Sequence, residues 1–299
     1  MAATLACGRS DQSLDATVNA VNTAVERTLA AMTPGAPATT QPASVPTTGT
    51  PPGPATTAPL PTDTPPAPTG VAPTPEATAN ELARPNGAVL SATRRDAPPN
   101  IDGNQDDWPA ELPYAIDQIV FGQGAWVDTG DQSGAFNVMW DQFNLYLYVV
   151  ITDDSHVQAD SGQTLYRGDS LELQFDADLA GDFSTTSLNE DDYQIGLSPG
   201  ASRASPENYF WNPMARRGQP TGINLITRAN GDAGGYIAEV AIPWSLFGVT
   251  PAPGSRFGFA LNSSDNDSPG TTEQQSMIST VTTRRLLDPT TWGTLELVN

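Results

Sequence analysis

The distribution of proline constrains this chain more than any other feature of its sequence. Residues 33–80 hold half of the 28 prolines, interspersed with Thr and Ala and with almost no large apolar side chain. Such a segment cannot bury enough apolar surface to offset the conformational entropy that folding would cost. We therefore expect residues 33–85 to form a disordered, extended linker and residues 86–299 to form the folding unit.

The segment before this linker resembles an export signal of bacterial lipoproteins. Leu5 and Ala6 precede Cys7, the single cysteine of the chain, as in the lipobox in which the cysteine carries the lipid, although Thr4 stands where that motif prefers Leu. Apolar residues at spacings of three and four over residues 14–32 predict a short amphipathic helix. We expect residues 1–32 to be a lipid-anchored N-terminus, with the linker as a surface stalk.

The charge of the chain excludes one class of partner. Acidic residues outnumber basic ones by 34 to 13, every basic residue is Arg, and the formal net charge is −21. Nucleic acid is not expected as a partner, because its phosphates would be repelled. No apolar run after the N-terminus approaches the roughly 18 residues that a membrane-spanning helix needs.

The folding unit shows the pattern of a β protein. Short runs of alternating apolar and polar residues, separated by Gly, Asp and Asn clusters, predict strands rather than helices. The clearest runs are 136–140, 145–151, 171–175, 236–242, 256–262 and 292–298. Several strands in about 210 residues predict one all-β domain, an antiparallel β-sandwich of immunoglobulin-like or jelly-roll-like form.

Six segments, in order, are similar to family 9 carbohydrate-binding modules and their wider DOMON-like superfamily. They are residues 101–108, 138–155, 166–178, 234–244, 257–267 and 287–297. The resemblance implies non-catalytic binding of a polysaccharide or oligosaccharide by an extracellular, surface-tethered module. Four tryptophans are expected to pack in the core or at strand corners rather than to contact sugar: Trp108, Trp140, Trp244 and Trp292.

The resemblance also implies where a sugar would bind. Tyr166 falls where the family has a clamp tryptophan, Glu172 falls on a carboxylate that bonds sugar hydroxyls, and Gln194 matches a polar position. Arg167 and Asp169 lie in the same segment as Tyr166, and we include them in the candidate site. For Asp169, a role as the cap of the strand start is an equal alternative.

Two departures from the family pattern concern the residue that would form the second side of the aromatic clamp. No aromatic residue stands near Thr280, where a second clamp tryptophan is expected, and Gly196 replaces the family's arginine. Trp211 or Trp126 could supply a ring from another direction. Loss of sugar binding is the alternative outcome.

Calcium is a further implication of the resemblance, as a structural ion. Oxygen ligands at alternate positions, which suit this ion, occur at Asp102, Asn104, Asp106, Asp176, Asp178, Asp265 and Asp267. Asp and Asn are also common turn residues, so each of these groups has an alternative interpretation as a turn.

Other functions have weaker support. Haem is not expected, since the chain has no Lys and one His, His156, which we expect at the surface. No catalytic motif is apparent, and the strand-borne carboxylates that a glycosidase could use are Glu172 and Glu239. The alternative to sugar binding is a cell-surface structural or adhesion protein with a protein partner.

Overall fold

The computed structural model describes residues 82–219, 222–231 and 234–299. The predictions for Cys7, the amphipathic helix and most of the linker therefore lie outside the described residues. The described part is an all-β unit of thirteen strands with a few short helical turns, which confirms the all-β part of the predicted fold class. It contains no helix long and apolar enough to cross a membrane.

The strands are separated by connections that range from the single residue 117 to the long loop 95–113. Their bounds are β1 Leu90–Arg94, β2 Tyr114–Ile116, β3 Gln118–Phe121, β4 Gln132–Trp140, β5 Asn144–Asp153, β6 Ser170–Asp176, β7 Asp192–Ser198, β8 Glu207–Asn212, β9 Asn224–Ala229, β10 Tyr236–Pro243, β11 Arg256–Asp265, β12 Ser276–Ser279 and β13 Gly293–Val298. The helical turns are Gly162–Arg167, Met214–Arg216, Trp244–Phe247 and Pro289–Thr291. Each strand predicted from the sequence lies within or overlaps one of these.

The strands pair in one path that folds over itself into two facing layers. Its order is β8-β7-β6-β11-β13-β1-β4-β5-β10-β9. Outside this path, β12 pairs with β11 and with β3, and β2 pairs with β4. The apolar residues of both layers form one core, in which the rings of Phe136 and Phe259 stack at 6.2 Å between centroids. The arrangement is that of a sandwich with a nearly closed side.

Strand β6 shows why the sequence pattern gives this arrangement. Leu171, Leu173 and Phe175 alternate with polar residues, and each is fully buried in the core between the layers. Since successive side chains of a strand point to opposite faces, the polar residues of β6 lie on the outer face of its layer. The position of the candidate site follows from this alternation.

The prediction of a purely antiparallel sandwich is wrong at β1. This strand runs parallel to both of its neighbours, β13 and β4, while the other pairings are antiparallel. Tight turns produce antiparallel neighbours, but β1 reaches both partners through long connections. Periodicity reports which residues are buried and carries no information on strand direction.

The four tryptophans expected in the core are there. Trp292 is fully buried, Trp140 and Trp244 are 2% exposed, and Trp108 is 6% exposed. Each indole N–H also has a partner, such as the carbonyl of Val298 for Trp140 at 2.9 Å. Bonded indoles in a packed interior stabilise the fold and offer no platform to a ligand.

The packed unit begins earlier than the predicted boundary at residue 86. Arg84 is buried, its Nη2 lies 2.6 Å from Oδ2 of Asp176, and its backbone N–H bonds Oγ1 of Thr294 at 2.9 Å. The expectation that the linker extends to residue 85 is therefore wrong for its last residues. A buried Arg with an acidic partner belongs to the domain.

Candidate functional site

The outer face of β7, β6 and β11 carries a continuous patch of polar side chains. In the strand register, Glu172 on β6 lies opposite Gly196 on β7 and Asn262 on β11, and Gln174 lies opposite Gln194. Residues that oppose each other in neighbouring strands project from the same face. The register therefore groups Glu172 with three amide side chains.

A carboxylate and a guanidinium meet at the centre of this patch. Oε1 of Glu172 pairs with Nη2 of Arg284, and Oε2 accepts a hydrogen bond from Nε2 of Gln194 at 3.0 Å. Nε of Arg284 also donates to Oε1 of Gln174 at 3.0 Å. Donors and acceptors are thus fixed side by side, with their charges balanced.

Aromatic rings border the patch on the side of β8. Tyr166, on the helical turn Gly162–Arg167, meets Trp211 of β8 edge to face, with centroids 6.1 Å apart and planes at 73°. Tyr209 lies 5.7 Å from Trp211, and all three rings are partly exposed. The guanidinium carbon of Arg167 lies 5.8 Å from the centroid of Tyr166. The site therefore combines an apolar rim with a polar floor.

Gly196 gives Trp211 its place at the site. A Cβ on Gly196 would lie 2.4 Å from the indole ring of Trp211 and 2.7 Å from Leu165. The ring of Trp211 therefore covers Gly196, the position where the family pattern has an arginine, and Gly196 lies opposite Glu172 in the strand register. The structure places Tyr166 against Arg167 and Trp211, and it pairs Glu172 with Gln194.

Two other predicted site residues have different surroundings. The carboxylate of Asp169 is buried and accepts the backbone N–H groups of Val157 at 2.6 Å and Asn266 at 2.9 Å. Trp126 packs against the core between the layers and donates its indole N–H to the carbonyl of Gln132 at 2.9 Å. Both residues stabilise loops through these bonds.

His156 is not the surface residue that its polar loop suggested. Its side chain is 1% exposed, with Nδ1 2.8 Å from Asp169 and Nε2 3.0 Å from the carbonyl of Gly200. Although burial opposes the charged form, Asp153 and Asp169 raise its pKa to about 9. The imidazolium thus compensates buried carboxylates, which a count of polar neighbours in the sequence could not reveal.

Glu239 belongs to the other layer and has a structural role. It accepts the indole N–H of Trp108 at 2.7 Å and the backbone N–H groups of Asp102 at 2.8 Å and Gly103 at 2.6 Å. It lies on the outer face of β10, whereas Glu172 lies on the outer face of β6. These two glutamates therefore cannot flank one glycosidic bond.

The first group of expected calcium ligands forms a turn. Oδ1 of Asp102 accepts the backbone N–H of Asn104 at 2.8 Å, and Oδ1 of Asn104 accepts from Arg228 at 2.9 Å. The bonds from Asn104 hold the pKa of Asp102 below its usual value. Within the described residues, the convergent carboxylate groups include neither Asp102 nor Asp106.

Asp265 and Asp267, by contrast, converge with residues from other loops. We call Asp131, Asp153, Asp154, Asp265 and Asp267 the loop acid cluster. One oxygen each of Asp153, Asp265 and Asp267 lies within 4.8 Å of the others, and buried oxygens on all three have no hydrogen-bond partner among the described residues. Convergent, unpartnered oxygens are the donors that calcium prefers, so these residues fit the ion.

Asp176 and Asp178, the other expected pair of calcium ligands, have different surroundings. Asp176 converges with Asp182 and Asp191 between β6 and β7, and we call these three residues the hairpin acid cluster. Asp178 is exposed and accepts the backbone N–H of Gly181 at 3.1 Å within a turn. Since Arg84 already neutralises Asp176, this cluster needs a cation less than the loop acid cluster does.

The fold and the aromatic-rimmed polar face define a β-sandwich binding module. The chain belongs to the family described as carbohydrate family 9 binding domain-like, whose model matches residues 101–299. The matched region is therefore a carbohydrate-binding module, a class that is non-catalytic. The resemblance inferred from the six segments is confirmed.

Solved structures support the fold. Two are family 9 carbohydrate-binding modules from Caldicellulosiruptor kristjanssonii, one in complex with cellotriose and one with glucose. The cellotriose complex has a TM-score of 0.54 at 19% identity and covers 71% of this chain and 94% of that chain. The glucose complex has a TM-score of 0.52 at 20% identity and covers 69% and 95%.

The similar characterised proteins are much longer. Endo-1,4-beta-xylanase A of Thermotoga neapolitana is 25% identical over 211 residues, which are 70% of this chain and 18% of that protein. The enzyme of the same name from Thermoanaerobacterium saccharolyticum is 27% identical over 173 residues, 58% of this chain and 13% of its own length. The chain thus spans less than a fifth of these relatives.

Sequence reasoning missed several residues of the patch. Arg284, Gln174, Asn262 and Tyr209 were not predicted, although Gln174 and Asn262 alternate with core residues as Glu172 does. That alternation could have identified both. Arg284 comes from the segment after β12, and only the folded structure shows that it reaches Glu172.

Proposed function

We propose that this chain uses the face formed by β6, β7, β8 and β11 to bind neutral sugars, as a non-catalytic module displayed outside the cell. The observation that carries the proposal is the fixed pairing of Glu172 with Arg284 beside the rings of Tyr166 and Trp211. The cellotriose and glucose complexes of the two similar modules support this ligand class.

The geometry suits the chemistry of a sugar ring. Neighbouring hydroxyls of a pyranose are donors and acceptors at once, so a carboxylate beside a guanidinium can satisfy two of them together. Gln194, which is 9% exposed, adds an amide group at the edge. The apolar C–H face of the ring can then contact Tyr166 and Trp211.

The same geometry explains the lack of catalysis. A glycosidase needs two carboxylates across the scissile bond, one of them free to donate a proton. Glu172 is held by Arg284 and Gln194, and Glu239 lies in the other layer. Asp176, the other carboxylate on the outer face of β6, is buried and paired with Arg84.

Calorimetric titration of the full chain with glucose tests this proposal. We expect saturable binding that Glu172→Ala and Tyr166→Ala each weaken at least about tenfold, a loss near 1.4 kcal/mol. Phe143→Ala is the matched control, because Phe143 is 65% exposed at the turn between β4 and β5. Failure of the folded wild-type chain to bind glucose or cellotriose would refute the proposed function.

We also propose that the loop acid cluster holds a structural calcium ion. Asp265 and Asp267 would be ligands with Asp153, and the ion would supply positive charge to one oxygen of each that has no hydrogen-bond partner among the described residues. The ion would tie Asp153, at the end of β5, to Asp265, at the end of β11. Thermal unfolding in calcium and in EDTA, with Asp265→Asn as the variant, tests this proposal.

The surface attachment is part of the same proposal. Lipidation of Cys7 and the Pro/Thr-rich stalk would hold the module away from the membrane and close to polysaccharide. The test is incorporation of labelled palmitate in a bacterial host. Cys7→Ser should abolish the label and release the protein into the soluble fraction, whereas a label that persists in Cys7→Ser would contradict the anchor.

A further inference from the structure

One edge of β4 is shared by two short strands that diverge from each other. β1 pairs with β4 only at Thr93 and Arg94, whereas β2 pairs with β4 over residues 114–116. The start of β1, residues 90–92, pairs with β13 and not with β4. The sheet therefore has a gap between the start of β1 and β2.

An apolar cavity of about 220 Å³ lies at this gap. Leu90 and the ring of Tyr114 line it from β1 and β2, and Phe259 and Val281 line it from the opposite side. Phe259 is 1% exposed and belongs to the core between the layers, so the cavity reaches into that core. Its lining includes none of the residues of the polar patch on the outer face of β6, β7 and β11.

The walls of the cavity are held in place by hydrogen bonds and by packing. The hydroxyl of Tyr114 donates to the carbonyl of Ser91 and accepts the backbone N–H of Ser91, both at 2.9 Å. The ring of Tyr114 also packs against Phe136, with 5.3 Å between the centroids. A cavity with fixed walls loses little entropy when a ligand enters.

The size and lining of the cavity limit its occupant to one apolar ring. An apolar cavity of roughly 150 Å³ is large enough for benzene, and drug-sized ligands need about 300 Å³ or more. The rings of Tyr114 and Phe259 favour an aromatic occupant, because aromatic rings attract each other edge to face. A sugar ring is disfavoured, since its hydroxyls would be buried against apolar side chains.

A carboxylate lies at the mouth of the cavity. Asp117 is exposed and is part of the lining, together with the exposed residues Ala88 and Ala115. Its Oδ1 accepts a hydrogen bond from the neutral side-chain amide of Gln118, which leaves its negative charge in place. Since the chain carries a net charge of −21, it attracts cations and repels anions. The mouth therefore favours a ligand with a positively charged substituent.

We propose that this cavity is a second binding site, for a small aromatic amine with a single ring. The ring occupies the cavity between Tyr114 and Phe259, and the ammonium group pairs with Asp117 at the mouth. The site is separate from the sugar-binding face and does not rest on the proposed function.

The experiment is an NMR titration of the full chain with benzylamine, benzyl alcohol and benzoate, which share a ring and differ in charge. We expect saturable shifts of the methyl signals of Leu90 and Val281, with benzylamine at least about threefold tighter than benzyl alcohol and benzoate weakest. Asp117→Asn should reduce the affinity for benzylamine to that for benzyl alcohol. Asp96→Asn, at an exposed carboxylate outside the cavity lining, is the matched control and should change neither affinity.

A second variant tests whether the ring enters the cavity. Leu90→Phe adds volume inside it and should abolish the shifts with all three compounds, and thermal unfolding checks that the variant is folded. If Leu90→Phe does not fold, Ala88→Phe blocks the exposed mouth, and the same loss is expected. The absence of a saturable shift with benzylamine, or equal affinity for the three compounds, would overturn the proposal. Shifts at Tyr166 and Trp211 without shifts at Leu90 and Val281 would also overturn it.

Discussion

Glu172 and Glu239 show, at the scale of the residue, how contacts decide what a buried carboxylate does. Both are buried on strands and alternate with core residues. Glu239 accepts three N–H groups from the loop at 102–108, whereas Glu172 is paired with the side chains of Arg284 and Gln194. The first holds a loop, and the second can exchange partners with a ligand.

Removing the side chain of Glu239 should therefore destabilise the domain. In Glu239→Ala the indole N–H of Trp108 and two backbone N–H groups lose their acceptor, which costs about 3 kcal/mol. Urea unfolding of the full chain measures the change. Glu190→Ala, at an exposed glutamate, is the control and should change the free energy of unfolding by less than about 0.5 kcal/mol. Equal values for the two variants would contradict the role of Glu239.

The sequence predicted only part of the site at this scale. Tyr166, Glu172 and Gln194 could be identified because they lie on strands or turns where the alternation of apolar and polar residues and the family pattern are visible in the sequence. Arg284 could not, since it is 112 positions from its partner. Trp126 and Asp169 were assigned from residue type, and the structure places both in stabilising contacts.

At the scale of the element, the loops at one end of β5 and β11 concentrate negative charge. Burial, then neighbouring carboxylates, raises the pKa of Asp265 to about 8 and that of Asp267 to about 7. In the unfolded chain an Asp carboxyl titrates near 3.9. As pH rises, folding therefore becomes less favourable, because these carboxyl groups must either keep a proton or ionise while buried.

This predicts a pH dependence with a definite sign. Between about pH 4 and pH 8 the folded protein without calcium binds more protons than the unfolded chain, so its free energy of unfolding should fall as pH rises. Thermal unfolding in EDTA across this range measures the slope. Stability that rises across the whole window would contradict the account of the cluster.

Calcium should reverse this loss of stability at higher pH. At pH 7.5, millimolar calcium should raise the Tm, and EDTA should lower it again, because the ion binds the folded cluster and not the unfolded chain. Asp265→Asn should abolish the calcium effect, whereas Asp178→Asn, outside the converging oxygens, should retain it. A calcium effect that survives in Asp265→Asn would contradict this site.

At the scale of the whole molecule, the packed unit includes residues that composition assigned to the linker. Arg84 is buried against Asp176, so residues 82–85 contribute to the domain. Arg84→Ala leaves a buried carboxylate without its partner and should destabilise the domain by about 3 kcal/mol. Urea unfolding tests this, with Arg285→Ala at an exposed arginine as the control. No difference between them would show that the segment is not part of the domain.

The overall architecture could be predicted from the sequence for a physical reason. Alternation shows which strand faces are buried, and two buried faces require a sandwich. Strand direction at β1 and the reach of Arg84 depend on long-range contacts, which local patterns do not record. For the same reason, the sequence predicted Glu172 and Gln194 of the site but not Arg284, which reaches Glu172 from a distant segment.

The most direct test of the sugar-binding face is an NMR titration of the full chain with cellotriose, following the tryptophan indole N–H signals. Trp211 borders the site, whereas Trp108, Trp140 and Trp244 are buried and bonded elsewhere. We expect the Trp211 signal to shift most, with those three unchanged, and Glu172→Ala to remove the shift. A saturable shift at Trp126 or Trp108 without one at Trp211 would contradict the account.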